Sequence, residues 1–360
     1  MRLGIYIHWP FCRSKCPYCD FFSRVKKGVE QSALVDGYLA DLEYYRSLND
    51  EYKVDTIFFG GGTPSLLEPK QIERILDKIV ELWPTADNLE ISLEANPNSQ
   101  HPTLFRDLRQ AGINRLSLGV QALNDKDLKF LGRTHNLQEA LSAVDSVLQN
   151  FDNHSIDLIY ARPEQTTEAW QQELQQACAL GVKHLSLYQL TIEEGTFFAR
   201  KGIKALAEDK AAELYEITAQ ILAQKGYEQY EISNYAQEGF KCRHNLGYWH
   251  GDDYVGVGEG AVGYLHVDGK IITTTHHRQI TEVLPRERAE ELVIMGMRLN
   301  EGINKSHFEC QCGIKWQDFA NPKQIKELIN ENLLEETSEN IQVTSSGRLL
   351  LNYVIEKICS

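Results

Sequence analysis

The chain has 360 residues, of which 42% are hydrophobic, and it carries a formal net charge of −14. This acidic balance argues against a surface built for nucleic-acid phosphates, and no apolar run reaches the roughly 18 to 20 residues of a membrane-spanning helix. The first residues enter an apolar run at once, so we expect no secretory signal and a cytoplasmic protein with at most a peripheral membrane contact.

Short apolar runs alternate with amphipathic stretches over the first half of the chain. The predicted strands are residues 4–8, 54–59, 89–94, 115–120, 155–160 and 184–189. The predicted helices between them are residues 33–47, 69–83, 102–111, 137–149 and 167–180. This alternation predicts an α/β fold with a parallel sheet, in the form of an incomplete (β/α)6 barrel. Chemistry in such barrels sits at the C-terminal ends of the strands.

Three cysteines, Cys12, Cys16 and Cys19, follow the first predicted strand, with three and then two residues between them. Without a secretory signal, clustered thiols indicate a metal or catalytic site rather than disulfides. Three ligands leave one coordination position open, which suits a metal or cluster site that binds a further group. A zinc site is the alternative, although structural zinc takes four ligands and only His8 lies nearby.

Other strand ends carry further candidate residues. The second strand ends in Gly-Gly-Gly-Thr-Pro at residues 60–64, and these glycines allow a positive φ and a close approach to a ligand. Glu94 ends the third strand, where a carboxylate could accept hydrogen bonds from ribose hydroxyls. Gln121 and Arg133 follow the fourth strand. Asp157 lies inside the apolar fifth strand, so it needs a ligand or a structural partner if it is buried.

The cysteine spacing, followed by Gly-Gly-Gly-Thr-Pro after a second strand, resembles the radical S-adenosylmethionine (SAM) enzymes. Further segments resemble the branch that holds oxygen-independent coproporphyrinogen III oxidase and the HemW-type haem chaperones. These segments are Tyr-Ile-His-Trp-Pro-Phe-Cys at 6–12, Ser-Leu-Gly-Val-Gln at 117–121 and Ile-Asp-Leu-Ile-Tyr at 156–160. The resemblance covers nearly the whole chain.

The resemblance implies a 4Fe–4S cluster on Cys12, Cys16 and Cys19, with SAM on the open iron. In enzymes of the family, an electron from the cluster cleaves SAM and releases a 5′-deoxyadenosyl radical. The resemblance assigns three residues to the first SAM site: Tyr6, Gly61 and Glu94. It assigns six to positions that form a second SAM site in the oxidase and that could line a substrate or haem cavity here: Tyr18, Gly62, Thr63, Gln121, Arg133 and Asp157.

The segment His-Asn-Leu-Gly-Tyr-Trp at residues 244–249 places a histidine beside two aromatic side chains. Imidazole binds haem iron and aromatic rings pack on a porphyrin, and the resemblance associates this pattern with haem binding. His244 is therefore the predicted haem ligand, with Cys242 and His250 as alternatives. The competing interpretation is a structural loop in which His244 forms hydrogen bonds and the aromatic rings pack.

The end of the chain has a different pattern, with helices at 286–299, 322–332 and 347–357 and a hairpin at 334–344. This pattern predicts a small winged-helix-like domain, but nine Lys/Arg against twelve Asp/Glu in residues 285–360 disfavour DNA binding. We predict a barrel at 1–230, a connecting segment at 231–284 and this domain at 285–360. The resemblance places the glycine-rich loop at 258–263 over the adenosine end of SAM.

Two departures from the oxidase pattern favour a haem chaperone. Phe21 stands where the oxidase has a fourth cysteine, and five residues precede Tyr6 where the oxidase has an N-terminal extension. The sequence therefore predicts a homodimeric haem chaperone that delivers haem to haem-requiring, typically respiratory, client proteins without oxidase activity. The alternatives are a coproporphyrinogen oxidase or other radical-SAM enzyme and, more remotely, a zinc-stabilised interaction protein.

Overall fold

A twelve-stranded sheet frames the protein in the computed structural model, which describes residues 1–48, 51–97 and 103–360. Six neighbouring strands run parallel to one another. They are β1 (Arg2–Trp9), β2 (Lys53–Gly61), β3 (Thr85–Ala95), β4 (Arg115–Gln121), β5 (Asn153–Tyr160) and β6 (His184–Gln189). Within the described residues β1 and β6 do not pair with each other, so the barrel is open. The predicted incomplete barrel is confirmed.

Further strands extend the sheet on both sides of these six. Next to β6 lie the antiparallel strands β8 (Asn234–Ala236) and, outside it, β7 (Glu228–Gln229). Next to β1 lies the parallel strand β9 (Tyr254–Val257), followed by the antiparallel strands β10 (Val262–Val267), β11 (Lys270–Thr275) and β12 (Gln279–Val283). The segment 231–284, predicted as a connector, therefore contributes strands to the barrel sheet itself.

Nine helices of the described residues accompany this sheet. They are α1 (Gln31–Arg46), α2 (Pro69–Leu82), α3 (Leu104–Gln110), α4 (Asp125–Phe130), α5 (Leu137–Asn150), α6 (Thr167–Ala179), α7 (Phe197–Arg200), α8 (Glu208–Gln224) and α9 (Arg243–His250). Local sequence fixes several starts: Pro69 opens α2, and Asn136 and Glu139 form a capping box at α5. The predicted helix at 102–111 begins with Pro102, which lies outside the described residues.

Side chains of the barrel strands alternate between an apolar outer layer and a largely polar interior, as the period of two in a strand requires. Leu3, Ile5 and Ile7 of β1 are at most 1% exposed and belong to the main core. The intervening Tyr6 and His8 face inward and contact each other. The other strands bring these polar groups to the interior: Thr56, Glu90, Ser92, Glu94, Arg115, Ser117, Ser155, Asp157, His184 and Ser186.

The C-terminal domain has its own hydrophobic core, which includes Val293, Phe308 and Ile341. Its elements are α10 (Pro285–Gly296), β13 (Ile303–Asn304), α11 (Lys305–Cys312), α12 (Trp316–Phe319), α13 (Pro322–Asn330), β14 (Leu334–Glu336), β15 (Asn340–Val343), α14 (Ser345–Leu349) and α15 (Leu351–Cys359). The strands form an antiparallel sheet in the order β13-β15-β14, which together with the helices gives the predicted winged-helix-like arrangement. Every helix in the described part of the chain is too short or too polar to cross a bilayer.

Candidate functional site

The three clustered cysteines lie directly after β1, at the C-terminal end of the barrel strands. Cys12 is buried and Cys16 and Cys19 are partly exposed, and all three line a cavity of about 330 Å³. A short parallel pair of strands, Phe11–Cys12 and Arg24–Val25, holds the two ends of the cysteine loop together. The loop therefore presents its thiols to the mouth of the barrel.

The thiol arrangement fits a cluster better than a single ion. Burial raises the pKa of the Cys19 thiol, and the charges of the neighbouring Cys16 and Cys12 add to the rise. The three thiols are therefore close enough to interact electrostatically. Yet within residues 1–48, 51–97 and 103–360 no three His, Cys, Asp or Glu side chains lie close enough to hold one metal ion. A cubane cluster instead binds each thiolate through a different iron, so its three cysteines need not meet at one metal ion.

Two glycines at the end of β2 let the backbone pass close to the cysteine loop. The amide of Gly62 donates to the carbonyl of Trp9 at 2.6 Å, and the amide of Thr63 donates to the carbonyl of Phe11 at 2.9 Å. A Cβ at Gly62 would lie 2.5 Å from the Phe11 carbonyl oxygen, and Gly61 has a φ of +106°. Larger residues at these positions would clash or strain the backbone.

Arg133 connects the cysteine loop to the ends of the central strands. Its Nη1 lies 3.3 Å from the sulfur of Cys16 and 3.3 Å from the hydroxyl of Tyr18. Its Nη2 donates to the carbonyl of Gly119 at 2.9 Å and to the side-chain oxygen of Asn96. Asn96, which the sequence analysis did not select, also donates to the Thr63 hydroxyl at 3.2 Å. Its one sequence signal was its position immediately after the third strand.

Two carboxyl groups share the barrel interior. Burial raises the pKa of Glu94 to about 8, and the charge of Asp157 adds to this rise, while the Gly61 amide acts against it. Burial also raises the pKa of Asp157, although hydrogen bonds from Ser186 and Ser117 oppose the shift. The Ser117 hydroxyl donates to Asp157 at 2.9 Å. A largely protonated Glu94 can both donate and accept hydrogen bonds at neutral pH.

The structure brings eleven of the thirteen predicted site residues to the same cavity. They are Cys12, Cys16, Tyr18, Cys19, Gly61, Gly62, Thr63, Glu94, Gln121, Arg133 and Asp157. Tyr6 lines an adjoining cavity of about 640 Å³ together with Gly61, Glu94 and Val262 of the glycine-rich segment. The role of each residue toward SAM stays a prediction.

Comparison with known proteins finds relatives over almost the whole length. A family model described as the radical SAM superfamily matches residues 6–177, and one described as the HemN C-terminal domain matches residues 283–350. "Heme chaperone HemW" of Haemophilus influenzae is 38% identical over 98% of this chain and 97% of its own. "Heme chaperone HemW" of Escherichia coli is 37% identical over the same shares, 98% and 97%.

The chain belongs to the HemW family of radical SAM proteins. A mitochondrial relative from Danio rerio, "Radical S-adenosyl methionine domain-containing protein 1", is 31% identical over 98% of this chain and 82% of its own. The structure of coproporphyrinogen III oxidase (HemN) from Escherichia coli superposes with a TM-score of 0.82 over 99% of this chain and 90% of that one. At 22% identity this likeness shows a shared fold. Membership in the radical SAM superfamily implies a 4Fe–4S cluster and SAM.

His244, the predicted haem ligand of this HemW-family chain, is not presented to a ligand. Its Nδ1 lies 2.8 Å from the Thr56 hydroxyl and its Nε2 lies 3.0 Å from the Tyr248 hydroxyl. Its ring stacks on Phe58 with centroids 5.1 Å apart, and burial, aided by Arg115, lowers its pKa to about 3. Both ring nitrogens are therefore engaged inside the protein, and the structural interpretation of His244 fits this conformation.

Cys242, an alternative haem ligand, is also buried. Its sulfur lies 3.6 Å from the carboxylate of Glu90, and burial raises its pKa to about 12. A thiol of this kind stays protonated at neutral pH, whereas iron binds the thiolate. His250, the second alternative, is partly exposed at the end of α9.

We expect His244→Asn to destabilise the protein by about 2–4 kcal/mol, because it removes a buried ring together with two hydrogen bonds. Urea unfolding of the apo protein measures the effect. The control is Lys204→Asn at an exposed side chain in the loop between α7 and α8, which should change the free energy of unfolding by less than about 0.5 kcal/mol. Equal stabilities of the two variants would contradict the buried structural role.

We expect the stability of the apo protein to carry a pH dependence that originates at Glu94. Its pKa rises from 4.5 to about 8 on folding, so the folded state binds the additional proton between these values. This stabilisation is fully present below pH 4.5 and is lost as the pH rises through about 8. Glu94→Gln, which mimics the neutral acid, should flatten the decline of unfolding free energy from pH 5 to 9 measured in urea. The exposed control Glu208→Gln should keep the wild-type slope; identical slopes in all three proteins would exclude Glu94 as the source.

Proposed function

We propose that this chain is a haem chaperone that holds a 4Fe–4S cluster and SAM and delivers haem to haem-dependent client proteins, typically of the respiratory chain. The observation that carries this proposal is the similarity to two proteins named "Heme chaperone HemW", at 38% and 37% identity over nearly full length. The cysteine cavity and the radical SAM fold support the cofactor part of the proposal.

In this proposal Cys12, Cys16 and Cys19 hold the cluster and SAM occupies the adjoining cavities. A bound cluster supplies an open iron for SAM and an electron for its cleavage. Arg133 fixes the sulfur of Cys16 and the ring of Tyr18 with hydrogen bonds at 3.3 Å. Glu94 offers a carboxyl for ribose hydroxyls, and the following residues complete the walls: Tyr6, Gly61, Gly62, Thr63, Gln121 and Asp157.

Oxidase activity is the second candidate, because the structure resembles coproporphyrinogen III oxidase with a TM-score of 0.82. A shared fold does not by itself carry the activity. Phe21 stands where the oxidase pattern has its fourth cysteine, and its side chain is 61% exposed. The chain therefore lacks the fourth cysteine of the oxidase pattern. This difference favours the chaperone function over oxidase activity.

The test compares the two candidate functions on the same anaerobically purified protein. Titration with haem should produce a saturable Soret band, and the loaded protein should pass its haem to apomyoglobin as a generic acceptor. Incubation with coproporphyrinogen III, SAM and a reductant should leave the substrate unchanged. Decarboxylated product would establish the oxidase instead, and the absence of saturable haem binding would refute the chaperone. Sedimentation of the same samples tests the predicted homodimer.

A further inference from the structure

Another cleft, lined by both polar and apolar side chains, lies at the opposite end of the barrel from the cysteines. It is bounded by Arg2 at the start of β1, whereas the cysteines follow the end of that strand. The cleft runs between the end of α9 and the C-terminal domain and has a volume of about 380 Å³, within the range of small-molecule sites. Its apolar lining comes from Trp249, Leu292, Leu299, Ile303 and Phe308.

Two histidines from different parts of the chain line this cleft. His250 ends α9 and His307 belongs to α11, and their ring centroids are 6.2 Å apart. The Nε2 of His250 lies 2.7 Å from the Glu301 carboxylate, and the Nε2 of His307 lies 3.0 Å from the His250 carbonyl oxygen. A protein histidine that binds a metal usually has such an acceptor on one ring nitrogen, which fixes its tautomer and orientation.

The residues that line the cleft favour a metal complex that already carries most of its ligands over a bare metal ion. In the part of the chain that the structure describes, no three metal-binding side chains converge on one ion, so a bare cation is not expected here. Haem iron already has four porphyrin nitrogens and needs only one or two protein ligands. Trp249 can pack on the porphyrin, and Arg2 at the edge can pair with a propionate.

Rearrangement of these histidines requires little energy. The side chains of His250 and Glu301 are 33% and 63% exposed, and the pair contributes about 0–1 kcal/mol at such exposure. His307 is 38% exposed and also lies 3.4 Å from Asp252. Either ring can therefore adjust its position toward iron at little cost, whereas movement of the buried His244 would deprive the Thr56 and Tyr248 hydroxyls of their partner.

We propose that this cleft binds haem, and that His250 and His307 would hold its iron while Trp249 would border the porphyrin. The proposal rests on the haem-chaperone function and names its haem site. It gives the His-Asn-Leu-Gly-Tyr-Trp segment two separate tasks: His244 and Tyr248 fix the inner face of α9, while Trp249 borders the haem. Because the two ligands come from α9 and from α11, bound haem connects the barrel to the C-terminal domain.

The test is a haem titration of the full-length protein, followed by the Soret band and by quenching of tryptophan fluorescence. The double variant His250→Ala/His307→Ala should bind haem at least about tenfold more weakly, and added imidazole should restore the Soret band. The double variant with methionine at both positions should keep haem but shift its spectrum, since thioethers also bind haem iron. Apo stability and iron–sulfur content, measured on each variant, show that the fold is intact.

The controls separate the haem site from the function as a whole. His277→Asn should bind haem as the wild type does. If the wild type binds haem and both double variants keep its affinity and its spectrum, haem lies elsewhere and the cleft proposal is wrong, whereas the chaperone proposal stands. If the wild type itself shows no saturable haem binding, the proposed function fails first. If the alanine double variant does not fold, the methionine double variant takes its place. Its absorption spectrum then shows whether residues 250 and 307 bind the haem iron.

Discussion

Replacement of Cys12, Cys16 and Cys19 together by serine should leave a protein without an iron–sulfur cluster. Wild-type protein purified without oxygen should contain about four irons and four sulfides per chain, and the triple variant close to none. The physical reason is the clustering of these thiols at one cavity, where each can bind a separate iron. Iron and acid-labile sulfide assays, together with the visible charge-transfer absorption, measure the result.

A matched triple variant replaces the other thiols that reach the surface in full or in part: Cys178, Cys310 and Cys359. These residues lie on separate helices, α6, α11 and α15, and should not affect the cluster. Wild-type iron content in this control shows that the loss is specific to the loop after β1. A wild-type protein that neither contains iron and sulfide nor accepts them on reconstitution would overturn the site.

Gly62→Ala should disrupt the same site without touching a thiol. The new Cβ would lie 2.5 Å from the Phe11 carbonyl oxygen and 2.9 Å from its amide nitrogen, and backbone atoms cannot rotate away as side chains can. We expect a loss of about 1–3 kcal/mol or more in unfolding free energy, because the added methyl overpacks a closed contact. The end of β2 and the cysteine loop should shift together. The iron and sulfide content and the affinity for SAM should therefore fall.

Gly37→Ala provides the control for the Gly62 substitution. Gly37 lies exposed inside α1, and a Cβ there meets nothing within 4 Å. Alanine is favoured over glycine in a helix interior, so this variant should gain roughly 0.5–1 kcal/mol. Denaturant unfolding and isothermal titration with SAM compare the two variants. Equal SAM affinity in Gly62→Ala and wild type would show that the glycine contact does not shape the site.

The barrel and the cysteine loop could be predicted because their signals are local. Alternating strands and helices, the spacing of Cys12, Cys16 and Cys19, and the glycines after β2 lie in short windows of sequence. Part of the polar interior can also be predicted, since Glu94 and Asp157 occur in apolar strands at positions whose side chains alternate toward the interior. His8 follows the same alternation with Tyr6, and a strict reading of that period would have placed it inside the barrel.

Contacts between distant segments could not be predicted in the same way. Arg133 is 117 residues from Cys16, and the link between them depends on how the barrel strands are arranged. The short helix α11, with His307, lacks a strong periodic pattern and was missed. The sequence predicts a connector at 231–284, because a strand of four residues such as Tyr254–Val257 is recognised only when its partner β1 is known.

Local sequence patterns suffice to predict the α/β barrel, the three-thiol loop and the radical SAM relationship, because each depends on neighbouring residues and their periodicity. Tertiary packing, in contrast, selects which face of α9 points inward. His244 and Tyr248 are four residues apart and so share the helix face that packs into the barrel, whereas His250 lies at the helix end beside the C-terminal domain. A helix carries its residues on all sides, and its packing partners select which of them a ligand can reach.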